Sequence, residues 1–249
     1  MNIQNKTILV TGGGAGIGFS IANKLSGNGN KIILAGRREE VLKAAVAQIP
    51  NSSYIVADVT KEADVDNLVK QVQNKFGGLD ILVNNAGTGF YQQLDGRSGK
   101  VYSNARYEIE LNYLSVVNIT EQFLPLLKAS KEAAIINVES IVSYLPSINL
   151  PTYSATKAAL HSYALALRLT LEQSNPHIKV FEVFPPYVDT DLTKGIEAEK
   201  ITAEEVAQDL YNALQKNEYA VRNGVTKDVY VAYRQSPEEF LKVFNQIEA

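Results

Sequence analysis

Short, continuously apolar segments alternate with helix-like segments along most of this 249-residue chain. Strands that are apolar at every position, rather than at every second one, are typical of a parallel sheet buried on both faces. Parallel neighbours also need crossover connections, which are usually helices. The pattern therefore predicts an α/β fold with a doubly wound parallel sheet of about seven strands and helices on both faces. The predicted strands cover residues 7–10, 31–35, 54–57, 79–83, 134–138 and 179–184, with a further short apolar piece near 219–221.

The segments between these strands have helical patterns, and no linker, repeat or low-complexity tract interrupts them. The chain from residue 202 onward also has a helical pattern. We therefore predict a single domain over residues 1–249, in which 190–249 form a substrate loop and a C-terminal helical region. Hydrophobic residues make up 45% of the chain, which is enough to bury a core. The first predicted helix runs from the glycine-rich turn to residue 25. The others cover residues 39–48, 61–75, 103–128 and 153–173.

A glycine-rich turn, TGGGAGIG at residues 11–18, joins the first predicted strand to the first helix. Glycine removes the Cβ atoms that would obstruct a pyrophosphate, and the start of a helix offers free N–H groups and a positive dipole end. The spacing of Gly12, Gly16 and Gly18 differs from the usual Gly-x-Gly-x-x-Gly, and the Gly-Lys-Ser/Thr ending of a P-loop is missing. We interpret the turn as dinucleotide-binding, as in a Rossmann-type fold. The alternative is a flexible turn without a ligand.

The end of the second predicted strand indicates which dinucleotide would bind. An acidic residue there would hold the ribose 2′-hydroxyl of NAD, whereas an arginine suits the 2′-phosphate of NADP. Here Arg37 and Arg38 follow the strand, and the first acid is Glu39. We therefore predict NADP(H), with NAD(H) as the less favoured cofactor and two solvated helix-start arginines as the alternative. Asp58, after the third strand, could accept a hydrogen bond from the adenine amine or cap the next helix.

Tyr153 and Lys157 lie four residues apart in a predicted helix, which places them on one face. The pKa of a free Tyr is ~10 and that of a free Lys ~10.4, so neither alone exchanges protons well at neutral pH. A neighbouring ammonium favours phenolate, and lowering the Tyr pKa by about three units requires about 4 kcal/mol. The pair is a candidate general acid/base, although this spacing also occurs often by chance.

Composition argues against several other kinds of site. The chain has no cysteine, which excludes disulfides, thiol catalysis and thiolate metal ligands. His161 and His177 have no partner at metal-ligand spacing, so we predict no metal and treat both as structural or surface residues. A net charge of -3 with scattered basic residues argues against nucleic acid. Because no apolar run approaches the ~18 residues that span a membrane and no signal-peptide pattern occurs, we expect a cytoplasmic protein without membrane contact.

With these motifs in view, the chain resembles the short-chain dehydrogenase/reductase family in its compact form. The turn at residues 11–18 fits the family pattern Thr-Gly-x-x-x-Gly-x-Gly, and residues 84–87 reproduce its Asn-Asn-Ala-Gly motif. Asp58 holds the family's adenine position. Asn112 and Ser140 fall where the family has its catalytic Asn and Ser, and the resemblance extends from residue 6 to about residue 190.

The resemblance implies an oxidoreductase that interconverts an alcohol and a ketone or aldehyde by hydride transfer. Tyr153 would be the general acid/base and Ser140 would hydrogen-bond the substrate oxygen. Lys157 would lower the pKa of Tyr153 and bind the nicotinamide ribose, while Asn112 would hold a water beside Lys157. The predicted cofactor-binding residues are Gly12, Gly14, Gly16, Ile17, Gly18, Arg37, Arg38, Asp58, Val59, Asn85, Ala86, Gly87, Tyr153, Lys157, Pro185, Val188 and Thr190.

Two positions depart from the family pattern. Pro186 replaces the glycine of a Pro-Gly pair after the sixth strand, and because proline fixes φ and lacks an N–H, we expect a stiffer loop that still binds the cofactor. Glu139 precedes Ser140, where small residues are common. The Pro-Pro-aromatic-Val-x-Thr-Asp variant is similar to the DltE-type subgroup of bacterial short-chain oxidoreductases, a name that carries no substrate.

The expected substrate is a small-molecule alcohol or carbonyl compound in a fairly apolar pocket. Its walls are predicted at residues 88–93, 143–150 and 187–197, through Tyr91, Tyr144, Leu145, Ile148, Leu150 and Tyr187.

Assembly and two rival functions complete the sequence-based interpretation. The alanine-rich helix at residues 153–173 permits close packing, and the resemblance implies a homodimer or homotetramer. One rival function is an epimerase or dehydratase with transient hydride transfer, but such chains are usually longer. The other is a non-catalytic NADP(H)-sensing regulatory protein, which typically lacks the Tyr or the Lys.

Overall fold

The structure is a computed structural model that describes residues 1–247. Its centre, within these residues, is a seven-stranded sheet in which all neighbours run parallel, in the order β3-β2-β1-β4-β5-β6-β7. The predicted doubly wound α/β fold is confirmed. The strands are β1 (Thr7–Thr11), β2 (Lys31–Gly36), β3 (Ser52–Val56), β4 (Ile81–Asn84), β5 (Ala133–Val138), β6 (Ile178–Phe184) and β7 (Ala220–Arg222).

Helices connect successive strands and cover both faces of the sheet. The predicted C-terminal helical region consists of three helices with β7 between the first two. The helices are α1 (Gly16–Leu25), α2 (Glu39–Val46), α3 (Glu62–Phe76), α4 (Val101–Ile109), α5 (Ser115–Ala129), α6 (Pro151–Ser174), α7 (Ala203–Lys216), α8 (Thr226–Gln235) and α9 (Pro237–Phe244).

The sheet is buried on both faces, which explains why its strands are apolar at successive positions. In β1, Ile8 and Val10 pack on one side with residues of α1, α2 and α7, whereas Leu9 packs on the other side with residues of α3, α5 and α6. All three side chains are fully buried. Since successive side chains of a strand point to opposite faces, both cores are built from the same short strands.

The predicted helix at residues 103–128 is interrupted in the structure. A π-helical turn, Glu110–Leu114, separates α4 from α5 and contains Asn112. Side-chain hydrogen bonds accompany this turn, since the Asn112 amide bonds both the backbone of Thr88 and the hydroxyl of Thr156 in α6. Single π-helical turns of this kind are frequent at functional sites.

The sheet order reverses direction between β1 and β4, which leaves a crevice at the carboxyl ends of these strands. This is where open α/β sheets bind their ligands. Among the helices that the structure describes, none has both the length and the apolar character needed to cross a bilayer.

Candidate active site

A cleft of about 500 Å³ lies at the carboxyl edge of the sheet. A volume of this size is within the range of ligand sites. All but one of the residues predicted to bind the cofactor line this cleft; the exception is Gly18. The structure therefore brings together the glycine turn, the two arginines, the end of β4, the start of α6 and the loop after β6.

The glycines of the turn occupy two kinds of position, some in the cleft wall and one packed beneath the turn. Gly12 and Gly16 have φ values of +63° and +54°, which favour glycine. Both line the cleft, and a Cβ on Gly12 would lie 3.0 Å from the Ala86 Cα atom. Gly18 instead lies beneath the turn, where a Cβ would lie 2.5 Å from the Gly12 carbonyl oxygen and 2.4 Å from Nδ2 of Asn85. The structure assigns Gly18 a packing position rather than a place in the cleft wall.

Hydrogen bonds from two side chains join the glycine turn to the end of β4. The Thr11 hydroxyl donates to the Val83 carbonyl oxygen (3.2 Å) and accepts from the backbone N–H groups of Asn85 (2.9 Å) and Ala86 (3.1 Å). Nδ2 of Asn85 donates to the carbonyl oxygens of Thr11 (2.9 Å) and Gly12 (3.2 Å). The turn is thus held open by side chains beneath it. The clamping position of Thr11 was not predicted.

The end of the cleft at β2 and β3 carries the charged candidates. Arg37 and Arg38 are exposed in the wall, and Nη1 of Arg37 donates to the Tyr107 hydroxyl (2.9 Å). Asp58 also lines the cleft, and its Oδ1 accepts from the backbone N–H (3.1 Å) and hydroxyl (2.8 Å) of Thr60. The residue at the N-cap of α3 is Lys61, so Asp58 closes a turn rather than capping that helix.

The other end of the cleft holds Ser140, Tyr153 and Lys157. Ser140 follows β5, and its Oγ accepts from the backbone N–H of Val142 (3.3 Å), which leaves its own proton free to donate. Lys157 lies one turn after Tyr153 on α6. Its Nζ donates to the Val138 carbonyl oxygen (2.7 Å) and lies 5.7 Å from the centroid of the Tyr153 ring.

Burial is the main cause of the pKa shifts of Tyr153 and Lys157. It raises the pKa of Tyr153, a hydrogen bond with Ser140 lowers that pKa, and the charges of Glu139 and Glu108 raise it further. Burial lowers the pKa of Lys157, and Glu139 opposes this shift. The lowering of the Tyr153 pKa by Lys157 that we expected is not found. The physical reason is that Nζ of Lys157 is bonded to the backbone of β5 and the phenol is desolvated.

Asn112 lies behind the cleft wall rather than in it. Its Oδ1 accepts from the Thr88 backbone N–H (2.9 Å), and its Nδ2 donates to the Thr88 carbonyl oxygen (2.8 Å) and to Oγ1 of Thr156 (3.0 Å). A Cβ on Gly87 would lie 3.2 Å from Oδ1 of Asn112 and 3.8 Å from Nζ of Lys157, so the two polar groups approach each other around this glycine. Both amide protons of Asn112 are used, which leaves only Oδ1 for a further bond.

A second cavity of about 530 Å³ adjoins the cleft, and Ser140 and Tyr153 line both spaces. Of the predicted apolar wall residues, Tyr91, Leu150 and Tyr187 line this cavity, whereas Tyr144, Leu145 and Ile148 do not. Tyr144 instead stacks on Phe184, with ring centroids 4.5 Å apart. The predicted wall segments did not include the residues that the turn before α8, α8 itself and the end of α9 contribute: Gly224, Val225, Asp228, Val229 and Phe244.

Two backbone contacts hold the loop after β6 to neighbouring segments. The Pro185 carbonyl oxygen accepts from the Ile141 backbone N–H (2.9 Å), and Val188 forms a parallel bridge with Ile201. Pro186 lines both the cleft and the second cavity. Pro186 therefore lies at the border between the cleft and the second cavity.

Comparisons with known proteins agree with this architecture. The sequence pattern of the family described as short chain dehydrogenase matches residues 6–201. The chain is 33% identical to the uncharacterized oxidoreductase DltE of Bacillus subtilis over the full length of both chains, and 32% identical to an uncharacterized oxidoreductase of Staphylococcus epidermidis, covering 90% of this chain and 97% of the relative.

Solved structures show the same fold. A short chain dehydrogenase from Burkholderia cenocepacia in complex with NADP superposes with a TM-score of 0.86 at 25% identity, covering all of both chains. A short chain dehydrogenase/reductase from Burkholderia phymatum in complex with NAD gives a TM-score of 0.84 at 21% identity, covering 100% of this chain and 97% of the other. From its motifs, its sheet order and these relatives, the chain belongs to the short-chain dehydrogenase family of oxidoreductases.

Proposed function

We propose that the protein is an NADP(H)-preferring oxidoreductase that interconverts an alcohol and a ketone or aldehyde, with Tyr153 as the general acid/base. One observation carries this proposal: Ser140 and Tyr153 line both the dinucleotide cleft and the adjoining cavity. A substrate oxygen in the cavity would meet both hydroxyl groups at the border of the cleft.

The cleft fits a nicotinamide dinucleotide by its shape and by its polar groups. Gly12 and Gly16 keep the turn open where a Cβ atom would narrow it, Arg37 and Arg38 line one end, and Lys157 lines the other. When bound, the nicotinamide supplies or accepts the hydride. The remaining requirement is a group that exchanges a proton with the substrate oxygen.

Tyr153 and Ser140 meet this requirement. In carbonyl reduction Tyr153 gives its phenolic proton to the substrate oxygen, and in alcohol oxidation it takes the proton back. Ser140 donates a hydrogen bond from its hydroxyl to the same oxygen, because the bond that its Oγ accepts from the Val142 N–H leaves the proton available. Lys157 would bind the nicotinamide ribose. Asn112 would hold a water beside Lys157 through Oδ1, the one amide atom with capacity left.

The second cavity indicates the kind of substrate. Its wall is largely apolar, and its charged members are the carboxylates of Glu199 and Asp228. A carboxylate or phosphate on the substrate would meet these negative charges without a cation in the described lining. We therefore infer a neutral and mostly apolar alcohol or carbonyl compound.

A single substitution tests the role of Tyr153. For Tyr153→Phe we expect kcat to fall by about 10²- to 10⁴-fold, the usual contribution of general acid/base catalysis, while the Kd for NADPH stays near the wild-type value. Turnover is measured as NADPH oxidation with a panel of aldehydes and ketones. Tyr102→Phe, at an exposed tyrosine that lines neither the cleft nor the second cavity, is the matched control. Near-wild-type activity of Tyr153→Phe would contradict the mechanism.

The two rival functions predict different results in the same assay. A protein that binds NADPH tightly but converts no alcohol or carbonyl compound at any pH would support the regulatory sensor. An epimerase or dehydratase would change its substrate without net oxidation of NADPH. The intact Asn112, Ser140, Tyr153 and Lys157 argue against the sensor, and the short segment after β6 argues against the epimerase or dehydratase, whose chains are usually longer.

The proposal also covers the oligomeric state and the cellular location of the protein. We infer a cytoplasmic homodimer or homotetramer built from one domain per chain. The support is the outer face of α6, where Ala155, Ala158 and Ala166 are exposed and Leu169 has 60% of its surface exposed. Small and apolar residues on one helix face permit close packing with another copy.

A further inference from the structure

The last helix, α9, supplies part of the wall of the second cavity although it belongs to neither hydrophobic core. Every residue of α9 is at least partly exposed, and within residues 1–247 none of them is among those that form the two cores or pack against them. Phe244, at the end of α9, nevertheless lines the cavity. Segments with few buried apolar contacts open locally at a low cost in free energy. Other contacts are therefore needed to keep Phe244 in the cavity wall.

Asn245, the residue after α9, makes these contacts. Its Oδ1 accepts from the backbone N–H of Ile148 (2.8 Å), and its Nδ2 donates to the Pro146 carbonyl oxygen (3.0 Å). Nδ2 also donates to the carbonyl oxygen of Leu241 in α9 itself (2.9 Å). In the part of the chain that the structure describes, the bonds to Ile148 and Pro146 are the only hydrogen bonds from residues 237–247 to any residue before α8. One amide thus ties the end of α9 to residues 97 and 99 positions earlier.

The segment that Asn245 contacts, residues 144–150 before α6, is itself held from two sides. The backbone N–H of Ser147 donates to Oγ of Ser154 in α6 (3.1 Å). The Asn149 carbonyl oxygen accepts from the backbone N–H of Gln92, in the loop after β4 (3.0 Å). Because this segment is fixed and α9 lies outside the cores, α9 is the part that would move if the Asn245 bonds were lost.

We propose that Asn245 is a positioning residue that sets the length of the substrate: its bonds to residues 146–148 hold Phe244 in the wall of the second cavity, and this wall excludes longer chains. This inference rests on the proposed function, in which the substrate oxygen meets Ser140 and Tyr153. Both of these residues and Phe244 line the same cavity, so an apolar chain that fills it from the reacting oxygen meets Phe244. Neither Asn245 nor Phe244 lines the dinucleotide cleft, so loosening this wall leaves the cofactor site intact.

Binding of straight-chain primary alcohols, from butanol to decanol, tests the proposal without turnover when NADPH is the bound cofactor. Calorimetry gives the Kd for each alcohol, and we expect the wild type to bind one chain length best. In Asn245→Ala this alcohol should bind up to about tenfold more weakly, because its contact with Phe244 is loosened, and the optimum should move to a longer chain. Asn245→Asp can keep only the bond from Ile148, so its optimum should move in the same direction. The Kd for NADPH should stay at the wild-type value in both variants.

Hydrogen–deuterium exchange of the α9 amides measures the loosening directly and needs no ligand. Because Asn245→Ala removes two hydrogen bonds between α9 and the rest of the protein, exchange should become about tenfold faster or more. Lys242→Ala is the matched control, since Lys242 is exposed on the same helix and its side chain has no hydrogen bond or ion pair with any described residue. Its exchange and its chain-length optimum should match those of the wild type.

Three results would overturn the inference: an unchanged chain-length optimum or unchanged exchange in Asn245→Ala, equal shifts in Lys242→Ala, or no alcohol binding by the wild type. Failure of the proposed function is recognised separately. In that case the wild type would turn over no aldehyde, ketone or alcohol, while the alcohol optimum and the exchange of α9 would still differ between the wild type and Asn245→Ala.

Discussion

At the scale of single residues, the proposed preference for NADP(H) rests mainly on Arg37. It is exposed in the cleft wall, and one of its N–H groups donates to the Tyr107 hydroxyl at 2.9 Å. A guanidinium has five N–H donors in a planar fork that matches phosphate geometry. The bond to Tyr107 therefore orients the fork and leaves donors for a 2′-phosphate.

We expect Arg37→Ala to weaken NADPH binding by about 10- to 100-fold, because hydrogen bonds to charged groups contribute about 1.5–3 kcal/mol. NADH lacks the 2′-phosphate, so its Kd should change little. Fluorescence titration with both cofactors measures the two constants. Tyr107→Phe, which removes the orienting hydroxyl and keeps the cation, should give a smaller loss. Equal dissociation constants for NADPH and NADH in the wild type would contradict the assignment.

Residue chemistry was only partly predictable from the chain. The spacing of Tyr153 and Lys157 places them on one helix face, and the structure has them together in the cleft wall. The direction of the Tyr153 pKa shift was not predictable, because it depends on how strongly the phenol is desolvated and on the remote charges of Glu108 and Glu139. The spacing of two residues along the chain specifies neither the desolvation of the phenol nor the charges around it.

At the scale of elements, the packing of α1 against the glycine turn depends on Gly18. The helix starts at Gly16, and a side chain two residues later would collide with the Gly12 carbonyl and the Asn85 amide. The same Asn85 amide holds the turn to β4. One glycine thus allows the helix, the turn and the neighbouring strand to meet.

We predict that Gly18→Ala destabilises the protein by about 1–3 kcal/mol, the usual cost of forcing a methyl group into a packed site. Gly27→Ala is the control, because a Cβ there meets nothing within 4 Å, and it should be neutral or stabilising by about 0.4–1 kcal/mol. Urea unfolding of both variants measures the free energies. If the two substitutions had the same effect, the packing role of Gly18 would be wrong.

Among the elements, strands were easier to predict than the break between α4 and α5. Continuous apolar character marks a strand within its own few residues. The π-helical turn at Glu110–Leu114 has no such local mark, since the bonds that accompany it run from Asn112 to Thr88 and to Thr156, 24 and 44 residues away. Only contacts distant in sequence distinguish it from a continuous helix.

At the scale of the whole molecule, the second cavity combines segments that are far apart in the chain. The loop at Gly89 and Tyr91, the turn after β5, the loop after β6, and helices α8 and α9 each supply part of the wall. Phe244 of α9 closes one side of the cavity but does not line the dinucleotide cleft. If the second cavity is the proposed substrate site, residues that line it alone can be changed without altering the lining of the cleft.

We expect Phe244→Ala to lower kcat/KM for apolar carbonyl substrates by about tenfold, because a lost aromatic contact removes about 1.5 kcal/mol of apolar burial. The Kd for NADPH should remain at the wild-type value. Val243→Ala, at the neighbouring position where 62% of the residue surface is exposed, is the matched control and should leave both quantities unchanged. A parallel loss of NADPH affinity in Phe244→Ala would contradict the separation of the two sites.

The fold class, the strands along the chain, the glycine turn and the pairing of Tyr153 with Lys157 follow from local patterns in the sequence, whereas Asn112 and Ser140 were predicted only from the family resemblance. These features depend on interactions within a few residues, so the chain alone specifies them. The second cavity, the desolvation of Tyr153 and the packing of Gly18 depend on which surfaces meet after folding. Burial and electrostatics are properties of surroundings, and those surroundings come from distant parts of the chain.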